Sequence, residues 1–255
     1  MDNYHNPKML SHNTSKFILY YIILYMKEIY LIRHGETEWN KLKLGQGSRN
    51  DIPLNKNGEK QAKITGKYLN KYRQKDKNFD LILSSPMLRT KKTAEIIAKE
   101  IDYKKEIIYM DELKEKDQGL ISIGKTDVEL RKDKFYDDFF NIVDEFEKIK
   151  DPIEKTLFNK FNSKKIIKKY ERESEENITK RVKKILKYIE STKHNKILII
   201  SHGGLIQQIN KIILNAYEVP YGDLTNGSNC HITTYEYNKK YKLIMAPNTE
   251  HFSII

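Results

Sequence analysis

Four apolar residues, Ile29, Tyr30, Leu31 and Ile32, run directly into Arg33, His34 and Gly35, with Glu36 and Thr37 close behind. A surface strand would alternate apolar and polar positions, and a helix would space its apolar positions at three and four. The pattern predicts a buried strand over 27–32 that ends by delivering a cation, an imidazole and a backbone hinge to one point. Further on, Ala62, Ile64 and Leu69 predict a helix over 55–75, and FDLILSS (79–85) reads as a second buried strand. Pro86 is expected in the first turn of the helix that continues as MLRTKKTAEIIAKEI (87–101), a place where proline is tolerated. EIIYM (106–110) predicts a third strand. Residues 126–170 are Lys-rich and helix-like, with a break expected at Pro152. Ser174 opens a helix over 174–192, and KILIIS (196–201) is a fourth strand that enters Gly203-Gly204 and a helix to about 214. HITTYEYN (231–238) and YKLIMAP (241–247) predict a hairpin at one edge of the sheet.

Strands that alternate with helices imply an α/β protein. The expected architecture is a three-layer α/β/α sandwich with a mostly parallel central sheet, occupying 26–255, with a helical cap inserted at about 126–170. Residues 1–25 read as an N-terminal extension. FILYYIILYM (17–26) holds ten apolar residues, whereas a bilayer span takes ~20. No small-residue cleavage site follows it, and cutting near residue 30 would remove the strand that carries Arg33 and His34. Met26 directly precedes KEIYLIRHGE, so a leader or mis-called start, an added structural element and a targeting signal all stay open.

Composition changes this picture little. Hydrophobic residues make up 38% and charged residues 32% of the 255 positions, which excludes a chain disordered by composition. Lys and Arg outnumber Asp and Glu by 47 to 35, for a net charge of +12, and a basic balance favours anionic partners. The excess is lysine scattered through helix-like stretches, a solvated face, and no ordered basic-aromatic motif points to nucleic acid. The single cysteine, Cys230, allows no disulfide within the chain. No Cys/His cluster suggests zinc, so a reducing, cytoplasmic setting is expected.

The candidate chemistry lies at strand ends, because open α/β sheets bind ligands outside the carboxyl ends of their strands. The first strand ends in Arg33-His34-Gly35, the second in Ser84-Ser85-Pro86 one turn before Arg89, and the fourth in Ser201-His202-Gly203-Gly204. Each histidine is followed by a glycine, expected to let the backbone turn sharply and approach a ligand. Two histidines and two arginines on one rim make an anion pocket that contains a nucleophile. Guanidinium groups bind phosphate oxygens as a fork, and an imidazole nitrogen can carry a phosphoryl group covalently. The leaving oxygen then needs a proton from a nearby carboxylic acid.

LIRHGETEWN (31–40), SSPMLRTKKTAEI (84–96) and ISHGGLI (200–206) resemble the histidine phosphatase superfamily, also called the phosphoglycerate-mutase-like family. GQGSRNDIPLNKNGEKQA (45–62), ESEENITKRV (173–182) and NGSNCHITTYE (226–236) fit it too. The resemblance implies that His34 is the nucleophile and that Arg33, Arg89 and His202 complete the phosphate pocket. It also implies that Asn40, Gln46 and Gly203 bind substrate and that Glu115 is the acid, with Glu112 competing for that role. It implies a metal-independent phosphomonoester hydrolase acting on a small phosphorylated metabolite or a phosphoprotein, with a homo-oligomer among the expected states. GLISIG (119–124) lacks the tryptophan found after the acid in many phosphatases of the family. The 126–170 stretch does not resemble the arginine-containing segment of classical mutases, which points to hydrolysis rather than transfer. The alternatives are a phosphoglycerate mutase primed by 2,3-bisphosphoglycerate and a non-catalytic binding scaffold. No other cofactor is expected. Glu36 is assigned no catalytic role, Trp39 is expected to pack under the loop, and Cys230, His231 and His251 are expected to be structural. His5, His12 and His194 are expected to be exposed.

Overall fold

The computed structural model describes residues 26–49, 51–72, 78–119, 123–126, 128, 129, 132, 148, 172–215 and 227–253. The extension 1–25, most of the expected cap at 126–170 with its break at Pro152, part of GLISIG, and His5 and His12 lie outside them. Six strands form one sheet: β1 (Lys27–Arg33), β2 (Leu81–Ser84), β3 (Ile108–Tyr109), β4 (Lys196–Ser201), β5 (Ile232–Asn238) and β6 (Lys240–Asn248). The helices are α1 (Glu38–Lys41), α2 (Lys56–Tyr72), α3 (Leu88–Glu100), α4 (Glu175–Ser191) and α5 (Gly203–Leu214).

The strand order is β3-β2-β4-β1-β5-β6. The first four are parallel, while β5 pairs antiparallel with β1 and β6 antiparallel with β5. The period of two along each strand sends alternate residues to opposite faces. Ile29, Leu31, Leu81, Leu83, Ile197 and Ile199 pack under α4 and α5. Ile32, Ile82, Leu198 and Ile200 pack under α2 and α3. The sheet is therefore the middle of three layers. All six residues of β4 are buried, and burying one Ile or Leu contributes about 1.5–3 kcal/mol. β4 is the longest strand buried at every position, and His202 follows directly at its end.

Three details depart from the sequence reading. Pro86 lies before the helix: Met87 is the extended N-cap and α3 starts at Leu88, because the Met87 N–H turns back toward the Ser85 hydroxyl at 3.4 Å. Strand β3 keeps only Ile108 and Tyr109, both exposed, as befits a short sheet edge. His194 is half-buried rather than exposed, since its Nδ1 sits 2.7 Å from the Thr192 hydroxyl. Among the described residues, no helix is long and apolar enough to cross a membrane.

Candidate active site

Adjacent strands β1, β4 and β2 end at one rim. Arg33 stands opposite Ser201 in the register, and the His34 N–H donates to the Ser201 carbonyl at 2.9 Å. This places His34 beside His202, their rings edge to face with centroids 5.3 Å apart. His34 Nδ1 lies 2.8 Å from the Gly35 carbonyl oxygen. A carbonyl can only accept, so the proton sits on Nδ1 and Nε2 keeps its lone pair. His202 Nε2 lies 3.0 Å from Ser85 Oγ. That hydroxyl also receives the Met87 N–H at 3.4 Å, and its own proton can be donated to Nε2, the arrangement in which the His202 proton sits on Nδ1. The buried Nδ1 has no hydrogen-bond partner among the described residues, the condition of a donor waiting for a ligand.

Burial, followed by the positive charges of Arg89 and Arg33, holds His34 well below the ordinary histidine range. The same holds for His202, where burial leads and Arg89, His34 and Arg33 follow. Both rings are therefore neutral at neutral pH. Arg89 is 1% exposed, and burial pushes it down to about 10, so it stays charged. Its Nη1 and Nη2 donate to the carbonyls of Arg49 (2.7 Å) and Gly47 (3.0 Å), while its buried Nε has no partner among the described residues. Arg33 donates through Nη1 to the Gly227 carbonyl. Its guanidinium lies alongside Gly203, where a Cβ would sit 3.4 Å from Arg33 Nε, at ordinary contact distance. Gly203 is also the first residue of α5, where backbone N–H groups lack helical partners and favour anions.

Gly35 serves close packing rather than a sharp turn, which corrects the sequence reading at that position. Gly35 has no positive φ. Instead, a Cβ on Gly35 would meet the Gly58 carbonyl oxygen at 2.5 Å, and one on Gly58 would meet the Glu36 oxygen at 2.0 Å. The loop after His34 thus lies backbone to backbone on the start of α2. Glu36 faces away from the pocket, where its carboxylate takes the Asn55 amide at 2.8 Å.

Glu115 and Glu112 separate cleanly. The Glu115 carboxylate accepts the N–H groups of Lys116 (2.8 Å), Leu205 (3.1 Å) and Gly204 (3.3 Å), at the start of α5. Its charge also acts on Arg89. Glu112 turns to α4, with Oε1 3.9 Å from Lys184 Nζ. Asn40 caps α1 in a reciprocal box with Thr37, and its Oδ1 also takes the Asn229 amide at 3.2 Å, which leaves the Asn40 NH₂ as its remaining donor. Gln46 is buried, with Oε1 lacking a partner among the described residues. Trp39 lies against Gly124 and carries the Arg49 guanidinium 5.7 Å above its ring. Cys230 is fully buried, its thiol pushed up to about 12 by burial. His231 and His251 are buried as well.

Sequence reasoning missed the groups that hold this set in place. Asn229 donates to the His34 carbonyl at 3.0 Å. Thr93 takes the Gly35 N–H at 3.0 Å. Arg181 grips the segment that bears Glu115, donating to the carbonyls of Glu112 and Lys114. The only signal for these was their place inside the family-like motifs, since each acts across a long sequence separation. Among the described residues, no group of three His, Cys, Asp or Glu is placed to hold a metal.

A mixed α/β sheet brings two imidazoles and two guanidinium groups to the carboxyl rim of its parallel strands, an arrangement suited to an anionic group. The model of the histidine phosphatase superfamily (branch 1) matches residues 29–157 and 144–250, and the chain belongs to that family. PhoE of Bacillus subtilis (strain 168), named an uncharacterized phosphatase, is 46% identical over 94 residues. That match takes in 37% of this chain and 45% of the relative, so the chain spans less than half of the relative's length. A mutant phosphoserine phosphatase from Entamoeba histolytica, solved with phosphoserine, aligns with a TM-score of 0.64 at 27% identity, covering 88% of this chain and 98% of that one. A phosphoglycerate mutase from Bacillus anthracis str. Sterne aligns with a TM-score of 0.65 at 22% identity, covering 89% and 96%. The last likeness speaks for the fold alone.

Proposed function

We propose that the protein is a cytoplasmic phosphomonoester hydrolase that works through a phosphohistidine on His34. The observation that carries this reading is the Nδ1 contact to Gly35, which leaves Nε2 nucleophilic between Arg33 and Arg89. In the first step Nε2 attacks phosphorus. The bond to the ester oxygen breaks, its electron pair goes to that oxygen, and Glu115 supplies the proton that completes the alcohol. In the second step water attacks phosphorus and gives its proton to Glu115, and the N–P electron pair returns to Nε2. Arg33, Arg89, the Nδ1–H of His202 and the N–H of Gly203 face the charge spread over the equatorial oxygens. Asn40 and Gln46 are assigned to substrate binding from the family resemblance, and the buried Gln46 Oε1, without a partner among the described residues, and the Asn40 NH₂ supply the polar groups for it. The reading needs neither a metal nor a cofactor, because fixed donors and guanidinium charge stabilise the transition state. The substrate is a phosphate monoester of a small metabolite or of a protein side chain.

The test is phosphate release from a panel of phosphate monoesters by the native protein and His34→Ala. His34→Ala should lose activity by about 10³-fold or more; near-native release by that variant sinks the mechanism. A parallel coupled assay for 2-phosphoglycerate formation, primed with 2,3-bisphosphoglycerate, detects a mutase instead.

A further inference from the structure

On the reading that Glu115 is the proton donor, we propose that Arg181 and Glu173 are positioning residues that set Glu115 against the leaving oxygen. Arg181 extends from α4 and uses every arm of its guanidinium fork. Nε and Nη2 donate to the two oxygens of Glu173 at 2.7 and 2.6 Å, a bidentate pair. Nη1 donates to the carbonyls of Glu112 at 2.8 Å and Lys114 at 2.7 Å. Glu173 in turn receives the Asp117 N–H at 3.3 Å, and its own N–H donates to the Asp117 carbonyl at 2.9 Å. Glu115 is thus gripped from both sides, at 112 and 114 before it and at 117 after it. The Ser201 hydroxyl adds a third hold by donating to the Leu113 carbonyl at 2.8 Å. The carboxylate itself rests on the N–H groups of Gly204 and Leu205.

Stability alone does not account for this pair. Side-chain exposure is 20% for Arg181 and 14% for Glu173, and a shielded ion pair is often no more stabilising than apolar residues of the same volume. What the pair does supply is direction. A fork with a fixed plane holds two carbonyls two residues apart, those of Glu112 and Lys114, and that fixes the backbone from which the Glu115 side chain departs. Proton delivery depends on such placement, since the donor must lie within hydrogen-bond reach of the atom it serves.

A merely structural role would slow all substrates alike, whereas loss of a positioned acid slows those whose leaving group needs a proton. The experiment compares glycerol phosphate, an alkyl ester, with 4-nitrophenyl phosphate, whose nitrophenolate leaves without one. Pre-steady-state measurements of Arg181→Met, Glu173→Gln and Glu115→Gln follow phosphohistidine formation, with inorganic phosphate affinity as a check on the pocket. Arg181→Met should slow formation from the alkyl ester by about 10–100-fold, the range seen when a supporting partner is lost. Its nitrophenolate burst should change by less than about threefold on the same scale. Glu173→Gln, which keeps the volume, should show the same selectivity in weaker form. Equal losses on both esters, or no loss on either, would overturn the clamp. If Glu115→Gln is selective and Arg181→Met is not, the clamp fails while the acid assignment stands. If Glu115→Gln is itself unselective, the acid assignment fails and takes the clamp with it.

Discussion

The N–H of Gly35 donates to the hydroxyl of Thr93 at 3.0 Å, so the residue that fixes the proton on His34 is itself fixed from α3. The Gly35 carbonyl accepts from His34 Nδ1, and the Thr93 hydroxyl donates to the Arg89 carbonyl at 2.7 Å. One threonine therefore joins the nucleophile's loop to the backbone of the buried arginine. Thr93→Val keeps the shape and removes the hydroxyl. The stranded, buried Gly35 N–H should cost about 1–3 kcal/mol, read by denaturant unfolding. The imidazole should lose its aim, and single-turnover phosphohistidine formation should fall about ten- to a hundredfold. A native rate in Thr93→Val would show that the loop is held by other means.

Arg89→Lys separates charge from shape. An ammonium keeps the positive charge but cannot donate to the Gly47 and Arg49 carbonyls in one plane as the guanidinium does. The variant should bind inorganic phosphate more weakly and lose kcat/KM by about a hundredfold, within the ~10²–10³ typical for loss of one preorganised donor. A lysine variant with native kcat/KM would mean that charge alone suffices at this position.

Gly58→Ala tests the backbone-to-backbone seat of the His34 loop. Its Cβ would fall 2.0 Å from the Glu36 carbonyl oxygen, a backbone atom that cannot swing aside. We expect a loss of about 1–3 kcal/mol, the usual size of an overpacking strain, together with reduced phosphatase activity, because the displaced residues adjoin His34. Exposed Lys56→Ala in the same turn should leave the unfolding midpoint in place. Equal midpoints for the two variants would show that the loop does not depend on this close approach.

The buried histidines predict an acid-sensitive fold. Burial holds His231 and His251 at about 4, below the ~6.5 of an unfolded chain. Between these values the unfolded state binds protons that the native state refuses. Stability is therefore intact above pH ~6.5 and falls as pH drops toward 4, with each histidine adding up to about 1.4 kcal/mol per pH unit. Denaturant unfolding at stepped pH should show this decline, and His231→Gln should make it shallower. A flat profile between neutral pH and the folded-state value would refute the assignment.

Much of the scaffold was legible because continuous apolar runs leave little choice. KILIIS became β4 residue for residue, since a strand buried on both faces has no polar phase to misread. Its helix ended at Leu214, where Asn215 adopts the left-handed cap. The edge strand β3 was overextended because an exposed strand has no burial pattern to mark its ends. Glu112 and Glu115 could not be told apart by spacing alone. The 3-10 turn Asp111–Leu113 and the extended Lys114 that follows separate them, sending one to Lys184 and the other to α5. Thr93, Asn229 and Arg181 were invisible as partners because their contacts cross 58, 195 and 67–69 positions of chain.

The register Arg33 opposite Ser201 puts the two imidazoles on neighbouring strands, and their 5.3 Å separation sits close to the ~4.8 Å repeat at which strands hydrogen-bond. The spacing of the two rings is thus a property of peptide geometry rather than of side-chain choice. On the proposed function, the outer loops can be redrawn to admit a different alcohol, yet the spacing of the two imidazoles stays the same unless a strand slips by a whole residue. Such a slip would turn the apolar face of β1 into the wrong layer, so the dimension is locked by the core that lies beneath it.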